Sequence, residues 1–325
     1  MRVFSGIRPT GELHIGNYLG AIRQWRKLQE EHECFFCIVD YHAITTPFDP
    51  SKMKRNVFET LISYLVGGLD PEKCTIFLQS QVKEHTELAW ILGTICPLGE
   101  LKRMTQFKEK SKKHPQYINA GLLNYPLLMA ADILLYKAEL VPVGKDQVQH
   151  VELTRELARK FNKMFGEVFI LPKVLLSEGK KIMSLQNPKK KMSKTDDPKG
   201  CISLFDEPTE IKKKIMRAVT DSGKEIKYDP KRKPGISNLI LIYSLFSEKR
   251  IEEIEKEFKG KGYAYFKKKL AKLLIEKLKK FRERKETLLK REIYLKEILE
   301  KGKKKAERIA RETIREVKER MGFLD

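Results

Sequence analysis

The chain has 325 residues and carries 66 lysines and arginines against 44 aspartates and glutamates, a formal net charge of +22. This length can bury a complete α/β core and leaves room for a second, smaller domain. The N-terminus lacks a signal-peptide pattern, and no apolar run approaches the roughly 18 residues that cross a membrane. We therefore exclude secreted and membrane-spanning classes and expect a soluble, cytoplasmic protein.

The positive charge is concentrated in the C-terminal part of the chain. Residues 186–325 hold 41 basic and 24 acidic side chains, and therefore 17 of the 22 net positive charges. Such asymmetry is typical of a protein whose C-terminal region binds a polyanion. A thermophile's lysine- and glutamate-rich surface would explain much of the excess equally well, so charge alone does not identify RNA.

The first residues predict an anion-binding corner. A short apolar strand at residues 3–4 leads through a turn containing Gly6 and Gly11 into a helical pattern that begins near His14. A strand, a glycine turn and a helix start would aim free backbone N–H groups at one pocket. His14 and Asn17, one helical turn apart, would add two side-chain donors for phosphate oxygens.

Alternating apolar runs predict the fold of the first part. Buried strands are expected at 34–39, 74–78 and 141–143. Helical patterns lie between or beside them at about 51–69, 86–95 and 121–137. The alternation predicts an α/β fold with a Rossmann-like doubly wound parallel sheet, in which ligands bind at the carboxyl ends of the strands. His42 follows one strand at that edge, where it is either a site residue or a structural histidine.

Cysteine usage argues against structural metals and disulfides. Five cysteines in a chain of this length fit a reducing compartment. Cys34 and Cys37 form a CxxC, but they would point to opposite faces of a strand. Because no second pair stands at metal-ligand spacing, we expect no protein-bound metal.

Asp132 is a single carboxylate within the apolar helical run 127–136. Burying an ionised carboxylate costs several kcal/mol unless donors meet it. Asp132 therefore either pairs with a neighbouring side chain or accepts a hydrogen bond from a ligand on a hydrophobic wall.

The composition changes near residue 186. Residues 186–200 lack apolar periodicity and are rich in lysine, serine, aspartate and proline, which predicts a mobile loop. Only helical patterns follow, at about 207–219, 236–247, 250–258, 263–300 with breaks, and 303–320. We expect an all-helical C-terminal domain with a basic surface.

Two short motifs suggest a family. His14-Ile15-Gly16-Asn17 resembles the HIGH signature of class I aminoacyl-tRNA synthetases, with the final Asn typical of the tryptophanyl branch. Lys191-Met192-Ser193-Lys194-Thr195 resembles their KMSKS loop, with a Thr that keeps the last hydroxyl. The order and the setting of the two motifs are those of the family. The resemblance extends along nearly the whole chain to bacterial-type tryptophanyl-tRNA synthetases, through 4–7, 39–45, 104–110, 129–134, 182–185 and 233–239.

The chemistry of that family suits these residues. An amino-acid carboxylate attacks the α-phosphate of ATP and displaces pyrophosphate, so positioning and charge neutralisation carry the rate. A flexible loop can bring two ammonium groups, Lys191 and Lys194, to the pyrophosphate, with Mg²⁺ sharing the charge. His14 and Asn17 would hold the nucleotide from the other side.

The resemblance also implies the binding residues. ATP would be bound by Arg8, Pro9, Thr10, Gly16, Asn17, Gly144, Lys145, Asp146, Ile182, Lys191, Met192, Ser193, Lys194 and Thr195. Tryptophan would be bound by Phe4, Gly6, His42, Tyr125, Met129, Asp132, Ile133, Val141, Val143 and Gln147. Within this set Asp132 would accept the indole N–H, while Tyr125 and Gln147 would hold the α-amino group. Arg8 and Lys145 depart from the common family pattern and add positive charge near the nucleotide.

The same resemblance implies partners and domains. Residues 1–200 would form the catalytic domain, and 201–325 a basic helical domain that binds the anticodon of tRNA(Trp), with its last helix able to pack back on the catalytic domain. The mixed-charge segment 99–110 reads as a solvated helix face but resembles the family's dimer interface, which implies a homodimer. The alternatives are a tyrosyl-tRNA synthetase, a nucleotidyltransferase with a non-tRNA product, and a catalytically inactive RNA-binding paralogue.

Overall fold

The computed structural model describes residues 1–176, 181–194 and 197–324. They divide into two compact units, and we describe each by itself. The first unit comprises 1–11, 25–177 and 291–325, and the second comprises 12–24 and 178–290. The assignment of 1–200 to catalysis and 201–325 to tRNA binding concerns function and stays a prediction.

The strands and helices follow the chain in this order. The strands are β1 (Arg2–Ile7), β2 (Glu33–Ile38), β3 (Cys74–Leu78), β4 (Leu140–Val143) and β5 (Lys173–Leu176). The helices are α1 (Ile15–Asn17), α2 (Arg23–Leu28), α3 (Asp40–Ala43), α4 (Pro50–Val66), α5 (Glu84–Ile95), α6 (Leu98–Arg103), α7 (Thr105–Lys113), α8 (Ala120–Leu134), α9 (Val148–Phe165), α10 (Pro208–Met216), α11 (Pro234–Ser247), α12 (Ile251–Glu257), α13 (Tyr263–Leu289) and α14 (Glu292–Met321). A π-helical segment occupies Tyr18–Ile22, and 3₁₀ turns occupy Gln79–Gln81, Pro115–Tyr117, Lys145–Gln147 and Pro198–Gly200.

The first unit is built on a parallel sheet. Its strands lie in the order β3-β2-β1-β4-β5, and every neighbouring pair is parallel. The strand order reverses between β1 and β4, which is the switch point where such sheets bind ligands. The predicted Rossmann-like parallel sheet is confirmed. The edge strand β5 was not among the predicted strands.

Helices cover both faces of this sheet. Phe35 and Phe36 are successive residues of β2 and so point to opposite faces. Trp25 of α2 stacks on Phe36 at 4.7 Å between ring centroids, and Tyr136 stacks on Phe35 at 4.9 Å. All four rings are fully or almost fully buried. The two faces thus have separate aromatic cores, as a doubly wound sheet requires.

The last helix, α14, packs along the edge strand β3 of the first unit. Gly302 makes this approach possible, because a Cβ at this position would lie 1.8 Å from the carbonyl oxygen of Ile76. The predicted interruption between residues 300 and 303 is therefore wrong. The glycine there is a site of close packing within a continuous helix, and the one break in this region falls at residues 290–291, between α13 and α14.

The second unit holds α1 and the helices α10 to α13. Its core includes the buried Ile211 and Ile215 of α10 together with Leu270 and Leu274 of α13. Lys267 of α13 is also buried, and its Nζ donates to the carbonyl oxygen of Ala218 at 2.7 Å, just beyond the end of α10. The expectation of a wholly helical region after the lysine loop is confirmed. Among the described residues, no helix combines the length and the apolar character needed to cross a membrane.

Candidate active site

Asp132 of α8 lies at the centre of a buried hydrogen-bond network in the first unit. Its side chain is 1% exposed and meets three donors. Oδ1 accepts a hydrogen bond from Nε2 of Gln79 at 2.7 Å and lies 2.6 Å from Nδ1 of His85. Oδ2 lies 2.7 Å from Nε2 of His42. The alternative in which Asp132 pairs with neighbouring side chains is therefore what the structure has, and its role toward a ligand stays a prediction.

The network keeps Asp132 ionised. Burial by itself raises the pKa of this carboxyl group, but the charges and hydrogen bonds of His42 and His85 outweigh it and hold the pKa well below its ordinary value. Because the carboxylate can only accept, Nδ1 of His85 donates to it. Nε2 of His85 lies 2.8 Å from the hydroxyl oxygen of Tyr136. Tyr136, His85 and Asp132 thus form a connected chain of hydrogen bonds.

The two oxygens of Asp132 differ in what they can still accept. A carboxylate oxygen has about two lone-pair sites. Oδ1 already accepts from Gln79 and His85, whereas Oδ2 accepts from His42 alone. Oδ2 is consequently the oxygen with capacity for one further donor.

The other residues predicted for tryptophan binding lie around the same part of the first unit. Phe4, Ile133 and Val141 belong to the buried core, while Met129 and Val143 are half-buried against it. Phe4 stacks on Tyr136 with 5.4 Å between ring centroids. The structure therefore places the apolar members next to the carboxylate network through α8, β1 and β4.

Gly6 is required by packing. A Cβ at this position would lie 2.8 Å from Cγ1 of Val39 and 2.9 Å from the carbonyl oxygen of Cys37. Gly6 is part of β1 rather than of a turn, and Gly11, with φ of +104°, is the glycine that the turn needs.

Tyr125 is the centre of a second buried cluster in the first unit. Its hydroxyl lies 2.8 Å from Nε2 of His150, and the Nζ of Lys110 stands 4.1 Å above its ring. Burial, with a contribution from Lys110, lowers the pKa of His150 to about 4. Burial and the charge of Arg8 likewise lower the pKa of Lys110 to about 8. His150 is therefore neutral at pH 7, and a cation stands close to the tyrosine.

The segment after β4 forms a tight turn. The N–H of Gln147 donates to the carbonyl oxygen of Gly144 at 2.9 Å, and its side-chain amide donates to Oδ2 of Asp146 at 3.0 Å. A Cβ on Gly144 would lie 2.8 Å from Oδ1 of Asp146. Lys145 and Asp146 are exposed and Gln147 is half-buried. Gly144 thus lets the Asp146 carboxylate fold back over the turn.

The corresponding segment after β1 contains the first three predicted ATP ligands. Arg8 is half-buried, Pro9 is buried and Thr10 is exposed. The N–H of Thr10 donates to the carbonyl oxygen of Arg8 at 2.9 Å. Because β1 and β4 flank the switch point, Arg8 and Gly144 both leave the sheet at its ligand-binding edge.

In the second unit, the side chains of His14 and Asn17 cap the N-terminus of α1. His14 is the N-cap, and its Nδ1 accepts the N–H of Gly16 at 3.1 Å. Oδ1 of Asn17 accepts the N–H of His14 at 3.1 Å. The N–H of Ile15 donates to the carbonyl oxygen of Ile202 at 3.0 Å. The predicted cradle of free backbone N–H groups is therefore wrong, because the N–H groups of His14, Ile15 and Gly16 already donate to acceptors within the unit.

Capping leaves a defined donor on each side chain. Burial and the nearby charges of Lys191 and Lys194 lower the pKa of His14 to about 4, so the ring is neutral at pH 7. Since Nδ1 accepts from Gly16, the proton lies on Nε2. Oδ1 of Asn17 is likewise an acceptor, which makes its Nδ2 the donor. Gly16 is required here, because a Cβ would lie 2.9 Å from Nδ1 of His14.

The lysine loop is held through its backbone. Met183 and Lys191 form an antiparallel bridge, and the N–H of Met192 donates to the carbonyl oxygen of Ile182 at 3.0 Å. Ile182 and Met192 are buried, whereas Lys191 and Lys194 are exposed. The buried side chains anchor the loop and the ammonium groups remain available to solvent.

Lys194 has an acidic neighbour. Its Nζ lies 3.8 Å from Oε2 of Glu12, whose carboxylate also meets Nζ of Lys285 and the hydroxyl of Ser203. Burial raises the pKa of Glu12, but Lys285 and Lys194 outweigh it and lower that pKa overall. Ser193 is half-buried. Thr195, the last predicted ATP ligand, lies outside the described residues.

Several residues of these clusters were not singled out from the sequence. Gln79, His85 and Tyr136 complete the Asp132 network, and His150 and Lys110 complete the Tyr125 cluster. His85 and His150 are fully buried, and their apolar helical surroundings were the available signal. Within residues 1–176, 181–194 and 197–324, no three His, Cys, Asp or Glu side chains are grouped to hold a metal ion.

Comparison with known proteins gives concordant matches. The model of the family described as tRNA synthetases class I (W and Y) matches residues 1–279. The tryptophan–tRNA ligase of Caldanaerobacter subterraneus subsp. tengcongensis is 52% identical over 325 residues, which cover 99% of this chain and 98% of that protein. The crystal structure of tryptophanyl-tRNA synthetase from Mycoplasma pneumoniae has a TM-score of 0.90 at 36% identity and covers 99% of this chain and 98% of its own. The Campylobacter jejuni structure, complexed with ADP and tryptophan, has a TM-score of 0.85 at 40% identity, with coverages of 99% and 100%.

Proposed function

Because this chain belongs to the family of class I tRNA synthetases for tryptophan and tyrosine, and within it joins tryptophan to tRNA, we propose how its side chains divide that reaction. The predicted family is confirmed, and the tyrosine-specific alternative is set aside because relatives of about half identity are tryptophan–tRNA ligases. The enzyme first converts tryptophan and ATP into tryptophanyl-adenylate and pyrophosphate. It then transfers tryptophan to tRNA.

We assign recognition of the indole to Oδ2 of Asp132. Indole offers one N–H donor and no acceptor, so a buried carboxylate oxygen with one remaining lone pair matches it. The single observation that carries this assignment is the unequal occupancy of the two oxygens. Phenylalanine would leave Oδ2 without its second donor in an apolar wall, and sites of this kind reject such analogues strongly. Phe4, Gly6, His42, Met129, Ile133, Val141 and Val143 would form the rest of the pocket.

The α-amino group of tryptophan would be held by Tyr125 and Gln147. If the hydroxyl of Tyr125 donates to the neutral His150, its oxygen keeps lone pairs for an ammonium group. The 2.8 Å contact and the low pKa of His150 support that direction. Gln147 contributes its amide oxygen, because its nitrogen already donates to Asp146.

ATP would be bound, as its Mg²⁺ complex, by Arg8, Pro9, Thr10, His14, Gly16, Asn17, Gly144, Lys145, Asp146, Ile182, Lys191, Met192, Ser193, Lys194 and Thr195. In the reaction, the tryptophan carboxylate bonds to the α-phosphorus and the bond to pyrophosphate breaks. Lys191 and Lys194 would neutralise the charge that develops on pyrophosphate. Nε2 of His14 and Nδ2 of Asn17 would donate to phosphate oxygens without a change in the protonation of the ring.

The region from residue 201 to 325 would recognise the tRNA anticodon. It carries most of the positive charge of the chain, and helices are the only regular secondary structure in its described part after residue 207. Unpaired anticodon bases are read by stacking and by contacts to their edges, and the basic surface would bind the backbone. A tRNA partner would also place this activity in the cytoplasm.

We propose that a second copy of the chain covers an apolar groove of the first unit. The groove has a volume of about 1020 Å³, and its lining includes Trp90, Leu98 and Ile118. These side chains are 79%, 54% and 54% exposed. The groove is continuous with the 99–110 segment through Leu98 and Leu101, which supports a homodimer. A Trp90→Glu variant should run as a monomer in light scattering, whereas Leu289→Glu, exposed elsewhere, should not change the mass.

Amino-acid-dependent exchange of pyrophosphate into ATP tests the first step directly. We expect rapid exchange with tryptophan and almost none with the other nineteen amino acids, tyrosine and phenylalanine included. Equal exchange with phenylalanine, whose side chain has no hydrogen-bond donor, would contradict the assignment to Asp132. Exchange that survives the loss of both loop lysines would contradict the assignment of the pyrophosphate.

A further inference from the structure

The short segment 182–184 in the second unit is bound along both of its edges. On one edge, the carbonyl oxygen of Ile182 accepts from Met192 at 3.0 Å, and the N–H of Ser184 donates to the carbonyl oxygen of Lys190 at 2.9 Å. These bonds join it to the lysine loop on either side of Lys191. The loop therefore follows any movement of this segment.

On the other edge, a side chain takes the place of a neighbouring strand. Oδ1 of Asn238, on α11, accepts the N–H of Met183 at 2.9 Å, and its Nδ2 donates to the carbonyl oxygen of Met183 at 2.9 Å. Asn238 is 5% exposed. One carboxamide thus pairs with both backbone groups of Met183, the residue that forms the bridge with Lys191.

The helix α11, which carries Asn238, packs tightly against the backbone at Val219, a residue that is hydrogen-bonded to Leu185, directly after the same segment. A Cβ at Gly235 would lie 2.3 Å from the carbonyl oxygen of Val219, so α11 can pack this tightly only with glycine. The N–H of Val219 in turn donates to the carbonyl oxygen of Leu185 at 2.7 Å. The start of α11, the 182–185 segment and the lysine loop therefore form one connected backbone framework.

We propose that Asn238 is a positioning residue for the pyrophosphate-binding lysines. Asn238 fixes the 182–184 segment to α11. Through the backbone bonds of that segment, it sets the position of the loop that carries Lys191 and Lys194. The inference rests on the proposed function, in which those lysines meet the triphosphate. It also gives a role to the 233–239 motif, which the proposed function leaves without one.

The test separates positioning from simple stability. Asn238→Leu removes both hydrogen bonds at nearly constant volume, and Asn238→Asp keeps the acceptor but loses the donor to Met183. Ser237→Ala is the matched control, because Ser237 is buried on the preceding position of α11, and its hydroxyl accepts the N–H of Asp229 at 2.8 Å rather than a bond from the 182–184 segment. A displacement of about 1 Å at a reacting group costs up to roughly 10²-fold in rate.

We expect both Asn238 variants to lower kcat/KM for ATP in pyrophosphate exchange by roughly 10- to 10²-fold. The dissociation constant for tryptophan, measured by equilibrium dialysis, should stay within about twofold of that of the unchanged protein, a change too small to reflect a lost contact. Ser237→Ala should change neither quantity. Equal losses in Ser237→Ala, a parallel loss of tryptophan binding, or unchanged ATP kinetics in the Asn238 variants would each overturn the inference.

A double-mutant cycle gives a second readout. If Asn238 acts through the two loop lysines, adding Asn238→Leu to the Lys191→Met, Lys194→Met variant should cost less than Asn238→Leu costs in the unchanged protein. Additive losses would overturn the inference. If Lys191→Met and Lys194→Met leave exchange unchanged, the proposed role of the loop fails first. If they abolish exchange while Asn238→Leu does not affect it, only the role of Asn238 fails.

Discussion

The Asp132 network and the lysine loop hold their charges in opposite ways. Asp132 is buried, and three side chains from distant parts of the sequence fix its orientation before any ligand binds. Lys191 and Lys194 are exposed, and what fixes them is the backbone beneath them. In the function proposed above, the Asp132 network would thus be preorganised to select the amino acid, and the loop would keep charged ends that can follow a changing phosphate group. Substitutions in the two regions should therefore affect different kinetic quantities.

The largest effect is expected at the centre of the network. Asp132→Asn keeps the shape but removes the charge and presents an N–H group to at least one of the present donors. Breaking a buried charge network costs about 3–5 kcal/mol. We expect kcat/KM for tryptophan to fall by roughly 10²- to 10³-fold, with a smaller preference for tryptophan over phenylalanine. Exchange kinetics with both amino acids check this, and an unchanged preference would contradict it.

The loop should show the opposite pattern. Lys194→Met keeps the aliphatic stem and removes the ammonium group, which should lower kcat for adenylate formation by roughly 10²-fold, as for other single donors to a developing charge. Tryptophan binding should not change. Single-turnover formation of adenylate and equilibrium dialysis of tryptophan measure the two quantities. A loss of tryptophan affinity equal to the loss of rate would show that the two regions are not separable in this way.

Two buried histidines, His150 in the first unit and His14 in the second, make stability depend on pH. The pKa values of His14 and His150 are lowered to about 4, against about 6.5 in the unfolded chain. Between pH 6.5 and pH 4 the unfolded state therefore binds more protons, so stability falls as the pH falls through this window. The loss is at most about 3 kcal/mol for each histidine.

Urea denaturation at pH 7 and pH 5 measures this dependence. His150→Asn should reduce the loss of stability between pH 7 and pH 5 and leave the part that comes from His14. ATP, which would bind near the neutral ring of His14, should reduce that remaining loss of stability. A stability that is constant from pH 7 to pH 5 would show that neither ring is held neutral.

The smallest effect is expected at the outer end of the network. Tyr136→Phe removes the hydrogen bond to Nε2 of His85, so the orientation of His85 toward Asp132 loses one support. A lost hydrogen bond of this kind costs about 1 kcal/mol, which corresponds to a roughly fivefold higher KM for tryptophan. Tyr64→Phe is the control, because its buried hydroxyl contacts Ile7 and Cys37 instead. It should cost stability without changing the KM for tryptophan.

The sequence predicted what depends on local pattern. Continuous apolar runs predicted β2 and β3 closely, and helical periodicity predicted the C-terminal helices. Asp132 was notable as a carboxylate in an apolar run. Its partners Gln79 and His85 could not be identified, because they stand 53 and 47 residues away, and only tertiary structure brings them together.

The errors have physical reasons too. A glycine turn before a helix predicts free N–H groups, but His14 and Asn17 cap them, and a single sequence does not distinguish capping from ligand binding. The predicted interruption between residues 300 and 303 falls at Gly302, and glycine is a poor helix former. Its contact with Ile76 overrides that preference, since the packing needs a position without a side chain.

The position of α14 against β3 has a consequence for synthesis. An uncovered edge strand is a template for pairing with other chains. The first unit begins at residue 1, yet its edge strand β3 is covered by residues 292–321. The sheet emerges from the ribosome long before its cover does. While the intervening residues are translated, the nascent chain exposes an aggregation-prone edge, so α14 is needed for safe biogenesis as well as for the finished fold.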